Sequence, residues 1–93
     1  MVTIWKYPIS ISRNFSLQFP REAQILSVQS QESNQGLPAL WALVETDQVQ
    51  EFRQFQIFGT GILIYDDVFK LKFISTFQLD GGKFVGHLFE VIG

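Results

Sequence analysis

The last third of the chain is predicted to form a β-hairpin, because its two halves match chemically on both strand faces. Asp80-Gly81-Gly82 is typical of a three-residue hairpin loop, and the flanking strands then align antiparallel. A slip of one residue would set Leu71 opposite Glu90 and lose the match. The predicted cross-strand pairs are Leu79 with Lys83, Phe77 with Val85, Ser75 with His87, Ile74 with Leu88, Phe73 with Phe89, Lys72 with Glu90 and Leu71 with Val91.

Upstream of the hairpin, short runs that mix or alternate apolar and polar residues end at turn-forming residues. The run Leu40–Val44 is apolar throughout, which predicts a strand covered on both faces with Trp41 in the core. A polar turn is expected at Glu32–Gly36, and a loop or single helical turn at Thr46–Gln50. Residues 62–67 fit no single element. Strands are predicted over Val2–Tyr7, Phe15–Phe19, Ala23–Gln31, Leu37–Glu45 and Glu51–Phe58.

These turn signals, at intervals of about ten residues and without a helical stripe of useful length, predict an all-β chain. The expected architecture is one domain over residues 1–93, a small barrel or sandwich of six or seven mostly antiparallel strands. Aromatic residues make up 15% of the chain and charged residues only 17%. A chain this short cannot bury so much apolar area alone, so we expect a homo-oligomer, most simply a two-fold dimer.

Charge and cysteine usage exclude several function classes. A net charge of −2 argues against a general nucleic-acid binder, which needs a basic stripe to displace counterions. The absence of cysteine excludes disulfides, cysteine-ligated zinc and thiol catalysis. No apolar run approaches the ~20 residues of a membrane span, and Trp5-Lys6-Tyr7-Pro8 interrupts any signal peptide. These features predict a soluble, cytoplasmic protein without a cofactor.

Three motifs suggest chemistry, and each has a simpler structural interpretation. His87 opposite Ser75 would place a base beside a nucleophile, but no orienting carboxylate can be assigned, so a structural hydrogen bond is the preferred interpretation. Gly59-Thr60-Gly61 is too short for a nucleotide-binding fingerprint and favours a turn with positive φ. Asp66-Asp67 lacks the further oxygen ligands of a calcium loop and favours a solvated turn. No catalytic residue and no metal site are predicted.

Several short blocks, taken together and in order, resemble a known family. The pattern is similar to that of a family of small uncharacterised proteins of about this length, found in tailed phages and bacteria. The resemblance covers nearly the whole chain and implies a phage-type accessory protein with no assigned activity. The blocks are Ile4-Trp5-Lys6-Tyr7-Pro8, Ile25-Leu26-Ser27-Val28-Gln29, Leu40-Trp41-Ala42-Leu43-Val44, Phe58-Gly59-Thr60-Gly61 and Gly86-His87-Leu88-Phe89-Glu90.

Two non-enzymatic functions compete. The first is an anti-defence homo-oligomer that acts as a sponge, sequestering a small nucleotide-derived signal in pockets between subunits. Its aromatic residues would stack on a base, while its cations and Gly-Thr-Gly amides would bind phosphate. The alternative is a protein-binding or structural accessory module that acts through an apolar face or an edge strand. For the first strand itself, core packing of Trp5 and Tyr7 with Lys6 outward is the simpler interpretation. The candidate ligand-binding residues are Trp5, Lys6, Tyr7, Arg53, Thr60 and His87.

Overall fold

A computed structural model describes residues 1–31 and 36–93, and within these ranges the chain forms seven strands in two antiparallel sheets. One sheet has three strands in the order β1-β4-β3, and the other has four in the order β2-β5-β7-β6. The strands are β1 Val2–Pro8, β2 Asn14–Pro20, β3 Gln24–Ser30, β4 Pro38–Glu45, β5 Gln50–Gly59, β6 Leu71–Leu79 and β7 Phe84–Val91.

The sheets pack face to face and, over the described residues, do not close into a barrel, so the fold is a β-sandwich. The predicted all-β class is confirmed. The molecule is a flat slab with principal extents of 40 × 34 × 16 Å, so each sheet has one face on the core and one outer face. Of the polar turn predicted at Glu32–Gly36, residues 32–35 lie outside the described residues.

The core lies between the two inner faces and follows the period of two of the strands. On β4, Leu40, Ala42 and Val44 are buried, and they meet Phe55 and Leu88 of the opposite sheet. Full burial of one such large side chain stabilises the fold by roughly 1.5–3 kcal/mol. The prediction that β4 is covered on both faces is wrong, because Trp41 and Leu43 lie on the outer face and are only half-buried.

Trp41 is one of these half-buried residues, so its predicted place in the core is also wrong. Its neighbour across the sheet is Lys6 of β1, whose ammonium lies 5.8 Å from the centre of the indole ring. The tryptophan therefore lies on the outer face of the three-stranded sheet, where the Lys6 ammonium makes a cation–π contact with its ring.

The hairpin register is confirmed at its open end and wrong at its loop end. Leu71, Lys72 and Phe73 pair with Val91, Glu90 and Phe89 as expected. Beyond Phe73, each residue of β6 pairs one position away from its predicted partner on β7. The observed pairs are Ser75 with Leu88, Thr76 with His87, Phe77 with Gly86, Gln78 with Val85 and Leu79 with Phe84.

A β-bulge at Ile74 causes this shift, since it inserts one unpaired residue into β6. The loop becomes a four-residue turn that starts at Asp80, with Gly81 at φ 64° and Gly82 at φ 91°. The shift places the Phe77 ring over Gly86, where an added Cβ would lie 2.6 Å from the ring Cζ. Phe77 thus enters the core instead of joining His87 on the outer face.

Candidate functional site

A cleft opens between two edge strands, β3 of one sheet and β6 of the other. Its volume is about 520 Å³, within the roughly 300–1,000 Å³ typical of small-molecule sites. Both strands carry a bulge along this cleft, at Leu26 in β3 and at Ile74 in β6. The bulges interrupt the regular backbone edge on each side, which disfavours pairing with a further strand and leaves an open slot.

A bidentate ion pair between Arg53 and Glu90 lies at this cleft. Arg53 Nε and Nη2 donate to the two Glu90 carboxylate oxygens at 2.5 and 2.6 Å, and Nη1 donates to the Ala23 carbonyl at 2.7 Å. The side chains are 18% and 10% exposed, so the pair is shielded from water. The Glu90 hydrogen bonds raise the pKa of Arg53 against the opposing effect of burial, and the guanidinium stays charged.

Lys72 adds a second cation to the cleft. It lies directly across the ladder from Glu90 and is exposed, whereas the Arg53 side chain is only 18% exposed. Among the described lining residues, these two cations face a single carboxylate, while the polar neighbours Gln24, Ser27 and Ser75 are neutral. The cleft therefore carries a net positive charge at neutral pH, which suits an anionic ligand.

Tyr7 and Arg53 both lie close to the ring of Phe19 in the core. The Tyr7 ring lies 4.5 Å from that of Phe19, and the Arg53 guanidinium lies 4.9 Å from the Phe19 centroid. The Tyr7 hydroxyl is buried without a hydrogen-bond partner among the described residues. Burial raises the pKa of this phenol, and the positive charge of Arg53 opposes the rise. Tyr7 is thus a core residue.

The first strand separates the three candidate residues that it carries. Trp5 and Tyr7 pair with Ala42 and Leu40, whose side chains enter the core, so both aromatic residues lie on the inner face of the sheet. Trp5 remains 38% exposed because it lies near the rim. Lys6 points to the outer face, as expected in the core interpretation of this strand.

Thr60 and His87 meet on the outer face of the four-stranded sheet, away from the cleft. The His87 Nε2 lies 2.7 Å from the Thr60 hydroxyl, and its Nδ1 lies 2.9 Å from the hydroxyl of Thr76. The predicted Ser75–His87 pair is wrong, because the bulge at Ile74 moves Thr76 opposite the histidine. Both ring nitrogens are engaged by threonine hydroxyls, an arrangement that fixes the ring.

The six candidate residues therefore lie in four separate places, and a single copy of the chain does not bring them together in one pocket. Arg53 is the member that lines the cleft. Sequence reasoning missed Lys72 and Glu90 as site residues, although their pairing across the hairpin was the available signal. In the described ranges, no group of three histidine, aspartate or glutamate side chains is placed to hold a metal ion.

A second surface feature is the connection between β5 and β6, residues 60–70, which we call the arm. It is bonded to the outer face of the four-stranded sheet through Thr60 and Asp66, and all six of its large apolar side chains are exposed. Its start is a turn at Gly61, with φ 84°, as predicted for Gly59-Thr60-Gly61. The exposed apolar side chains are Ile62, Leu63, Ile64, Tyr65, Val68 and Phe69.

Comparison with known proteins identifies a family and no relative of known structure. The family described as "Domain of unknown function (DUF7352)" matches residues 1–93, which confirms the expected small uncharacterised family. No curated protein and no solved structure matches the chain. The described part of the chain contains no helix with the length and apolar character needed to span a membrane.

Proposed function

The chain belongs to the DUF7352 family, a domain of unknown function, so we propose a function from the geometry of its own residues. It is a non-enzymatic binding protein that holds a small anionic ligand in the cleft between β3 and β6. The observation that carries this proposal is the cleft itself, where the charges of Arg53 and Lys72 exceed that of Glu90.

The donor geometry of Arg53 supports the choice of an anion. A guanidinium has five N–H groups, and three of them bond to Glu90 and Ala23. One N–H remains on each terminal nitrogen, and such groups suit the oxygens of a carboxylate or phosphate. The ion pair with Glu90 holds the guanidinium in one orientation, so little conformational entropy is lost when a ligand binds.

A phosphate-bearing, nucleotide-derived signal is the finer proposal for this ligand. Ile25 and Leu26 line the same cleft as the cations, so the cleft has room for the face of a nucleobase beside a charged phosphate. A protein that binds such a signal without converting it acts as a sponge. We place this activity in a phage-type accessory protein that counters a defence signal in the cytoplasm of a bacterial host.

Calorimetry with mononucleotides, cyclic dinucleotides and inorganic phosphate tests the proposal. The informative variant is Lys72→Ala, because it removes an exposed cation without leaving a buried charge unpaired. Loss of one charged hydrogen bond weakens binding by roughly ten- to a hundredfold. Lys70→Ala is the matched control, since it removes the same charge from the neighbouring turn, outside the cleft. Lys6→Ala, on the far face, is a second control.

Wild-type protein that binds none of these anions, or Lys72→Ala protein that binds with unchanged affinity, would contradict the cleft proposal. Arg53→Ala is less informative, because removal of the guanidinium leaves Glu90 without its partner and destabilises the fold.

A protein-binding accessory module is the second candidate function, and a separate observation favours it. The arm exposes Phe69 at 90% and Tyr65 at 83%, which is unusual for large aromatic side chains on a protein surface. A variant with both residues changed to serine would lose such a partner and keep its affinity for anions.

A further inference from the structure

The arm is built with its polar groups bonded within the chain and its apolar groups outward. The Asp66 carboxylate accepts a hydrogen bond from Gln56 Nε2 at 2.9 Å and lies 3.8 Å from Arg13 Nη2. The Asp67 carboxylate accepts a hydrogen bond from the Phe69 amide at 3.0 Å. Because these carboxylates are engaged by the chain itself, the outward surface of the arm is dominated by apolar side chains.

The exposed apolar area is large for a chain of this size. Tyr65, Phe69 and Phe73 are 83%, 90% and 54% exposed. At about 200 Å² for each aromatic side chain, these three rings expose roughly 450 Å². That is more than half of the ~800 Å² that each partner buries in a standard protein interface. The aliphatic residues Leu63 and Val68, 67% and 58% exposed, extend the surface further.

The whole molecule also exposes more surface than a monomer of its mass requires. Its accessible surface is 6023 Å², against about 5,500 Å² expected for a monomer of this mass. Its radius of gyration is 13.6 Å, against about 12.3 Å expected for this length. Both differences are consistent with the flat shape, which gives the molecule a large surface for its volume.

We propose that the arm is the contact surface of a two-fold homodimer, in which the outer faces of the two four-stranded sheets meet. The occupant is a second copy, because the three exposed rings alone supply more than half of the area that each partner buries in a standard interface, and a two-fold interface brings the same rings of both copies together. Within the arm, Asp66 is paired with Arg13 at 3.8 Å and does not oppose its counterpart as a free charge. The arm is separate from the ligand cleft, and it provides a contact surface for the oligomer expected from composition.

Sedimentation velocity and light scattering over a dilution series, with anions absent, test the proposal. The wild type is expected to give twice the chain mass of 10.7 kDa at micromolar concentration. Phe69→Ser removes the most exposed ring and is expected to raise the dissociation constant by about thirtyfold or more. The matched pair is Val68→Ser and Val2→Ser, because both valines are similarly exposed, at 58% and 64%. Only Val68 belongs to the arm, so Val2→Ser should leave the dimer intact.

Amide exchange of the wild type supplies a second measurement that needs no variant. Protection at residues 62–69 should fall on dilution, while the core strands stay protected. A monomeric wild type across the micromolar range would overturn the proposal and leave the arm to another protein. A dimer that persists unchanged in folded Phe69→Ser and Val68→Ser protein would overturn it as well, as would an open series of larger assemblies. Anion binding by such protein would remain unaffected, so the two proposals fail separately.

Discussion

Thr60 and His87 join the start of the arm to the centre of the four-stranded sheet, with 2.7 Å between the hydroxyl and the His87 Nε2. The Thr60 amide also donates to the Val85 carbonyl at 3.2 Å, so two contacts hold this residue. The histidine therefore has a structural role in this fold, since it links the arm to β7 and, through Thr76, to β6.

His87→Ala is expected to loosen the start of the arm without unfolding the protein. The two threonine hydroxyls are exposed and can bond to water instead, so the loss of stability should be about 1 kcal/mol. Hydrogen exchange at the Thr60 amide should accelerate by more than this global change accounts for. Thr76→Val is the control, because it keeps the contact between Thr60 and His87. Unchanged exchange at Thr60 in His87→Ala would show that the hydrogen bond from the Thr60 amide to the Val85 carbonyl is sufficient to hold the start of the arm.

Tyr7→Phe is expected to leave stability at neutral pH unchanged or to raise it by up to about 1 kcal/mol, because the hydroxyl is buried without a described partner. The pH dependence has a definite sign. The folded protein holds the phenolic proton more tightly than the unfolded chain, whose pKa is near 10.0. Stability is therefore full below about pH 10 and falls as pH rises through the higher folded-state pKa.

Urea denaturation between pH 8 and pH 11 measures this effect. The wild type should lose stability in the alkaline part of the range, and Tyr7→Phe should lose less. Identical pH profiles for the two proteins would mean that the Tyr7 phenol is not the group responsible.

Glu90→Ala is expected to destabilise the fold by about 3 kcal/mol, because it leaves the shielded Arg53 guanidinium without its carboxylate. The same substitution at Glu51 is the control. Glu51 pairs with Arg21 at 3.9 Å on the surface, where an ion pair contributes roughly 0–1 kcal/mol. The double variant Arg53→Met/Glu90→Leu should recover most of the loss. Equal effects of the two single substitutions would show that the cleft pair is no better shielded than a surface pair.

Gly86→Ala is expected to cost about 1–3 kcal/mol, since its methyl group would overlap the Phe77 ring. Gly59→Ala, also on the four-stranded sheet, should cost less, because its nearest described neighbour lies at 3.4 Å. Chemical denaturation compares the two variants. Similar losses in both would mean that Phe77 moves aside easily and that its position over Gly86 does not fix the register.

Chemical matching along the chain was sufficient to predict the open end of the hairpin. Leu71–Phe73 have apolar or oppositely charged partners on β7, and each pair lies where the matching places it. The loop end could not be predicted, because a bulge adds a residue without changing the apolar pattern of either strand. Moving Phe77 from Val85 to Gly86 exchanges one acceptable neighbour for another, and only the core packing of its ring favours the second.

The candidate site was less predictable than the fold for a related reason. Arg53, Lys72 and Glu90 meet because β5, β7 and β6 are neighbours in one sheet, and the pairing of β5 with β7 is a long-range contact that no local pattern records. Lys6 shows the converse case, since its aromatic neighbours suggested a stacking site. Alternation along β1 instead sends its two flanking rings to one face and the ammonium to the other.

The 16 Å thickness of the slab has a consequence for how the molecule rotates in solution. A lone slab, 40 Å by 34 Å in its other two dimensions, tumbles anisotropically, like a thin disc. Two slabs stacked through their broad faces would double the short dimension and approach the 34 Å of the intermediate one. Rotational diffusion would then become nearly isotropic even as it slowed. Association through the edges would lengthen the disc instead, so the anisotropy of tumbling distinguishes the two modes of assembly without any substitution.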